Sequence, residues 1–205
     1  MFRFLVLGLL RGGSQIHGYA LVKEYRERSG SDVSTGNFYR ELQRLVFEGL
    51  IRGADNPPDA DARRTPYEIT SRGTGVFDQW FTSHEAAGGA CSEDDISARA
   101  LFVTEAEPAL VTNLLDRLEE NLWFAGKTVE RARQLALARK PGPHRFDVLS
   151  LLLARRLKRV AADLEFVEEI RLAYIEWLAT QERPAPAELL ARARRRRELN
   201  FAAGG

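Results

Sequence analysis

Apolar residues recur in short helical stripes through the first eighty positions and then in one sustained heptad. Residues 2–10, FRFLVLGLL, predict an apolar helix whose Phe4, Leu5, Leu9 and Leu10 bury together, broken by Arg11-Gly12-Gly13-Ser14. His17-Gly18-Tyr19 opens a second helix to about Arg28, with Tyr19, Val22 and Tyr25 on its inner side. A turn at Gly30, Ser31 and Asp32 leads into the third, STGNFYRELQRLVFEGLI at 34–51. There Phe38, Leu42, Leu45 and Val46 form one stripe, and Thr35, Asn37, Arg40, Glu41 and Arg44 lie off it, as expected of a core-docked helix with one open face. Gly49 can take the left-handed conformation that ends a helix.

Two short extended runs follow, Leu50-Ile51-Arg52 and Arg63 to Thr70, separated by proline-rich turn chemistry at 56–62. They predict a hairpin, with Arg63 and Arg64 toward its tip. Thr70 or Ser71 can cap a fourth helix, whose stripe is Val76, Phe77, Trp80 and Phe81. Three helices, a two-stranded wing and a closing helix make a winged helix-turn-helix domain over residues 1–83. Residues 82–91 lose periodicity, and a helix capped by Ser92 runs to about Val103, so a second, helical domain is expected over 92–205.

Its main element is a long helix in which Val111, Leu115, Leu118, Leu122, Ala125, Val129, Ala132 and Ala136 alternate spacings of four and three, a heptad seam. Lys140-Pro141-Gly142-Pro143 ends it. A second long helix carries Leu149, Leu153, Leu157, Val160, Leu164 and Val167 and runs to about Gln181. The expected fold class is therefore mainly α, a winged domain followed by a long antiparallel, coiled-coil-like hairpin. Apolar residues beyond what one partner helix needs leave two readings. A second copy of the chain could pack on Val111, Leu115, Leu118, Leu122, Leu149, Leu153, Leu157, Val160 and Leu164, or the helix at 92–103 could cover that surface within a monomer.

Composition changes this picture little. The 205 residues are 44% apolar and 29% charged, an ordinary globular balance, and the net charge of +1 means any nucleic-acid contact rests on a local basic surface. A single cysteine, Cys91, and the absence of a leader-like or membrane-spanning run point to a reducing, cytoplasmic setting. The three histidines are scattered, there is no zinc-like cluster, and Gly88-Gly89 lacks the rest of a phosphate loop, so neither an enzyme nor a metal or cofactor is expected.

In a helix-turn-helix reader, the N-terminal part of the second helix enters the major groove, where its polar residues meet base edges. Thr35, Asn37, Arg40 and Arg44 are the candidate readers, with arginine suited to guanine and asparagine to adenine. Ser34, Tyr39, Arg63 and Arg64 suit phosphates, Tyr39 being an equal candidate for the core. Glu41 would repel phosphate and is expected to turn aside or pair with Arg44. The rival reading is a winged-helix module that binds protein.

These residues resemble the PadR family of transcriptional regulators. The resemblance is carried by LVLGLL, by His17-Gly18-Tyr19, by FYRELQRLVFEGLI at 38–51 and by Tyr67-Glu68-Ile69-Thr70-Ser71-Arg72-Gly73. The run Tyr39-Arg40-Glu41-Leu42 is more similar to the virulence-activator branch, with its long C-terminal helical domain. The resemblance implies a homodimeric regulator of double-stranded DNA, expected to be a repressor. It also implies a small aromatic effector, for which Trp123, Phe124, Tyr174 and Trp177 are the candidate pocket residues. The sequence departs from the family at Asn37-Phe38 and at an acidic wing tip with Asp55, Asp59 and Asp61.

Overall fold

Helix α1 (Phe2–Arg11) has buried residues nearly all round, because Leu5, Val6, Leu7, Leu9 and Leu10 are all inside and only its ends carry charge. The computed structural model that shows this describes residues 2–13, 15–29, 34–53, 65–82, 93–138 and 148–203. Strand β1 (Ile16–His17) and helix α2 (Gly18–Ser29) follow, then α3 (Thr35–Phe47), β2 (Ile51–Gly53), β3 (Pro66–Ile69) and α4 (Ser71–Thr82). Helices α5 (Glu93–Ala100), α6 (Pro108–Ala138), α7 (Val148–Thr180) and α8 (Ala187–Ala203) complete the described elements. None of the described helices is long and apolar enough to cross a membrane.

The winged layout and the long helical hairpin are present as the sequence predicts. The sheet is larger than expected. It has three antiparallel strands in the order β1-β3-β2, with Ile16 opposite Tyr67 and Arg52 opposite Glu68. His17 therefore belongs to a strand rather than to the start of α2. On α2 the buried residues are Gly18, Leu21 and Val22, while Tyr19 is 75% exposed, contrary to its expected inward position. The first turn of the helix presents Gly18 to the core, which turns the next residue outward. Tyr25 does face inward, its ring edge-on to Phe38 at 5.8 Å.

The chain divides into two compact units, one of residues 1–83 and 94–110 and the other of the remainder. α5 and the turn after it thus group with the winged elements. Arg99, only 4% exposed, explains part of this. Its Nε and Nη2 donate to the carbonyl oxygen of Trp80 at 3.2 and 3.0 Å, and its guanidinium lies 5.0 Å from the centre of the Trp80 ring. Phe102 meets Phe77 edge-on at 5.7 Å. Aromatic pairs of this kind add about 0.5–1.5 kcal/mol to the area they bury.

In the second unit α6 and α7 run antiparallel, with Gly126 level with Val160 and Asp116 and Glu119 level with Arg171. The residues that would join them, including the Pro141-Gly142-Pro143 turn, lie outside the described residues. A heptad seam alone tolerates a slip of one repeat. Arg171, 1% exposed, does not, because it donates to Glu119 at 2.9 Å, to Asp116 at 3.4 Å and to Glu168 at 2.5 Å. Arg192 of α8 approaches the same Asp116 and Glu119 at 3.5 and 3.9 Å. Burial pushes the Asp116 carboxyl above its usual range, against the pull of Arg192 and Arg171.

Candidate nucleic-acid interface

α3 is held by its apolar edge. Phe38, Leu42 and Leu45 are each fully buried, and at about 1.5–3 kcal/mol per buried side chain they fix how the helix is rolled. Val46, expected on the same stripe, is 41% exposed, because it lies at the flank of this edge rather than on it. Ser34 caps the helix, its Oγ accepting from the Asn37 N–H at 3.2 Å. At the other end Gly49 has φ +69, with Leu50 N–H bonded to the Leu45 carbonyl and Gly49 N–H to that of Val46, at 2.9 and 3.0 Å. This paired closure is the Schellman motif, and it launches β2 directly.

With that roll fixed, Thr35, Asn37, Arg40 and Arg44 are all exposed on the outward side. Two of the three longer side chains are tied to each other, since Arg40 donates to Asn37 Oδ1. Arg44 pairs with Glu48 rather than Glu41, its Nε donating to Oε1 at 2.9 Å. The other oxygen of Glu48 accepts from Arg3 on α1. Arg3 first and Arg44 second hold the Glu48 carboxyl below its ordinary 4.5. Such solvent-screened pairs are weak beside a bidentate base contact. They orient the arginines without withholding them, and because Glu48 engages only Nε, the terminal nitrogens of Arg44 keep their forked donors.

Tyr39 is half-buried, and a β-carbon on Gly18 would come within 2.9 Å of its ring. Tyr39 thus shares in the α2–α3 packing, and the Tyr67 phenol is pushed above its ordinary range first by burial and then by the charge of Tyr39. Arg63 and Arg64 lie outside the described residues. On the wing strands sequence reasoning missed Arg52, a 72%-exposed side chain that pairs with Glu68 directly across the register, with Gln15, the residue before β1, reaching the same carboxylate at 3.4 Å. Cross-strand pairing was the signal, and it required knowing the register.

Residues 6–79 match the family described as Transcriptional regulator PadR-like. They are a PadR-like domain. Curated proteins give no significant match. Among solved structures, Bacillus subtilis PadR in complex with operator DNA is 19% identical, with a TM-score of 0.38 over 84% of this chain and 98% of that one. The same protein with p-coumaric acid is 20% identical, with a TM-score of 0.36 over 85% and 98%. Likeness at that level adds nothing to the family match.

Within the PadR-like domain, part of the motif set serves the fold. Thr70 caps α4, its Oγ1 accepting from Gly73 N–H at 3.0 Å and donating back to the Gly49 carbonyl at 2.8 Å. Gly73 lies against the Leu50 carbonyl, where no side chain fits.

In the helical unit, Val111, Leu115, Leu118, Leu122 and Leu153 are buried within the single chain, Leu157, Val160 and Leu164 are half-buried, and Leu149 is exposed. The seam is therefore filled largely by the chain's own helices. The apolar surface left outside keeps only Leu149 of that set and otherwise includes Trp123, Phe124, Leu135, Leu152 and Phe166. The four aromatic candidates form two separate pairs. Trp123 and Phe124 meet edge-on at 5.4 Å, exposed, and Tyr174 stacks on Trp177 at 5.6 Å with Tyr174 buried. Given the hairpin register, the pairs are about 15 Å apart along the helices. Trp123, with Lys127 5.1 Å from its ring centre, edges a groove of about 250 Å³ that also includes Leu122, Gly126 and Leu157.

Proposed function

We propose that the protein is a homodimeric, sequence-specific DNA-binding regulator that acts as a repressor on a near-palindromic operator. α3 enters the major groove and the β2–β3 wing lies along the adjoining backbone. The observation that carries this reading is the outward face of α3. A helix seated by three fully buried side chains presents Asn37, Arg40 and Arg44 in one stripe, with donors that match adenine and guanine edges. Thr35 at its first turn joins these readers, while Ser34, Tyr39 and the wing residues Arg63 and Arg64 serve phosphates.

Dimerisation is supported by the exposed apolar residues of α6 and α7, which a second copy would cover by two-fold pairing. Two such winged units would read half-sites about 34–36 Å apart, or a multiple of that spacing. The groove edged by Trp123 is the candidate place for a small aromatic effector, with Phe124 packed edge-on to Trp123 and Tyr174 and Trp177 lying in a separate pair. Residues 1–83 form the DNA-binding domain in this reading, α5 groups with them, and α6 and α7 supply the dimerising surface.

The test is fluorescence anisotropy of the full-length protein on labelled duplex DNA at several salt concentrations. Binding through phosphates predicts a linear fall of log affinity with log salt, with a slope of about 0.9 for each phosphate neutralised. No binding to DNA at low salt, or binding indifferent to salt, would favour a winged-helix module that recognises protein.

A further inference from the structure

We infer that Phe47 extends the reading surface of α3 by placing its ring against the C5-methyl group of a thymine in the major groove. This rests on the reading of α3 as the groove-binding helix and adds a residue and a base to it. Phe47 is 92% exposed, the highest value among the exposed large apolar side chains of the described residues. Its ring therefore contributes nothing to the core.

Its position gives it another use. Asn37, Arg40, Arg44 and Phe47 follow one another at spacings of three, four and three, which places them on a single stripe of the helix. Phe38, Leu42 and Leu45, each fully buried, hold the opposite edge, so this stripe cannot roll back toward the core. The neighbouring carboxylate is already occupied, since Glu48 lies between Arg3 and Arg44 and is not left to repel a phosphate.

The major groove offers one apolar group that marks a base, the methyl of thymine, and phenylalanine is among the side chains that contact it. With asparagine for adenine and arginine for guanine, the stripe then carries a partner for three bases. Phe47 lies three residues beyond Arg44, about 4.5 Å along the helix axis. Base pairs are spaced about 3.4 Å apart, so the thymine falls one or two pairs from the guanine that Arg44 faces.

The experiment uses duplexes selected from random DNA by the full-length protein. Each thymine is then replaced singly by deoxyuridine, which removes the methyl group and keeps the base pair. Affinities are measured for the wild type, Phe47→Ala and Phe47→Leu. The expected result is a loss of about fourfold for the wild type at one or two positions, no discrimination by Phe47→Ala at those positions, and partial discrimination by Phe47→Leu. Because the side chain is exposed, thermal unfolding of both variants should match the wild type. Deoxyuridine without effect at any position, or with equal effect on Phe47→Ala, overturns the role of Phe47 and leaves α3 as a DNA reader. A selection that returns no preferred sequence overturns both.

Discussion

Gly73, in the first turn of α4, sits so close to Leu50 that a β-carbon there would overlap the Leu50 carbonyl oxygen and lie 2.9 Å from Ile69 Cγ1. That oxygen also accepts from Thr70 N–H at 3.0 Å. Closing the wing onto α4 therefore depends on a missing side chain. Gly73→Ala should cost about 1–3 kcal/mol, the usual range for overpacking. Gly75, two residues on, has open space at the same test, and Gly75→Ala should be neutral or stabilising by up to about 1 kcal/mol. Urea unfolding of the two variants checks this, and equal effects would contradict the proposed contact.

The cluster around Arg171 makes a separate prediction. Three carboxylates on two helices converge on one buried guanidinium. Arg171→Met keeps the volume but leaves Asp116, Glu119 and Glu168 facing each other, and removing one member of such a set costs about 3–5 kcal/mol. Thermal unfolding should show the loss. A variant as stable as the wild type would mean that Arg192 alone satisfies the carboxylates.

Acid should loosen the α1–α3 tie. Glu48 is held below 4.5 by Arg3 and then Arg44, and Glu68 by Arg52 and then Gln15. A lowered carboxyl favours the folded state while it is ionised, so this contribution is complete above 4.5 and is lost as the pH falls through the folded value. Carbon NMR titration of the glutamate side chains should give midpoints below 4.5 for both residues. In Arg3→Ala the Glu48 midpoint should rise, and an unchanged midpoint would remove Arg3 as the cause.

The dimer proposal concerns surface rather than seam. Leu152 and Phe166 are exposed and two heptads apart on one face of α7. Replacing both with glutamate should leave the helix content intact and weaken self-association at least tenfold by sedimentation equilibrium. A wild type that remains monomeric at every concentration rules the dimer out.

What the sequence made legible was periodicity and punctuation. The stripe of Phe38, Leu42 and Leu45, the stop at Gly49 and the Thr70 cap are each set by residues within a turn or two, so spacing alone located them. β1 was not legible, because two residues show no alternation and exist as a strand only through pairing with β3. Tyr19 was misplaced because the first turn of a helix gives the pattern too few neighbours to fix its phase. The partner of Arg44 was missed for a similar reason: Glu41 and Glu48 are both within helical reach, and Arg3 on a distant element stabilises Glu48. Heptads located α6 and α7 but not which apolar residues stay outside, since that depends on how the two helices and α8 close on one another.

The central claim is that the outward stripe of α3 reads DNA, and its most direct test is the affinity of an Arg40→Ala, Arg44→Ala variant for a duplex selected by the wild-type protein. Both side chains are exposed, so the variant should fold normally. Each lost base contact is worth roughly 1–3 kcal/mol, and the variant should bind the selected duplex at least about tenfold more weakly while approaching its own affinity for unrelated DNA. Retention of full affinity and selectivity would contradict the account.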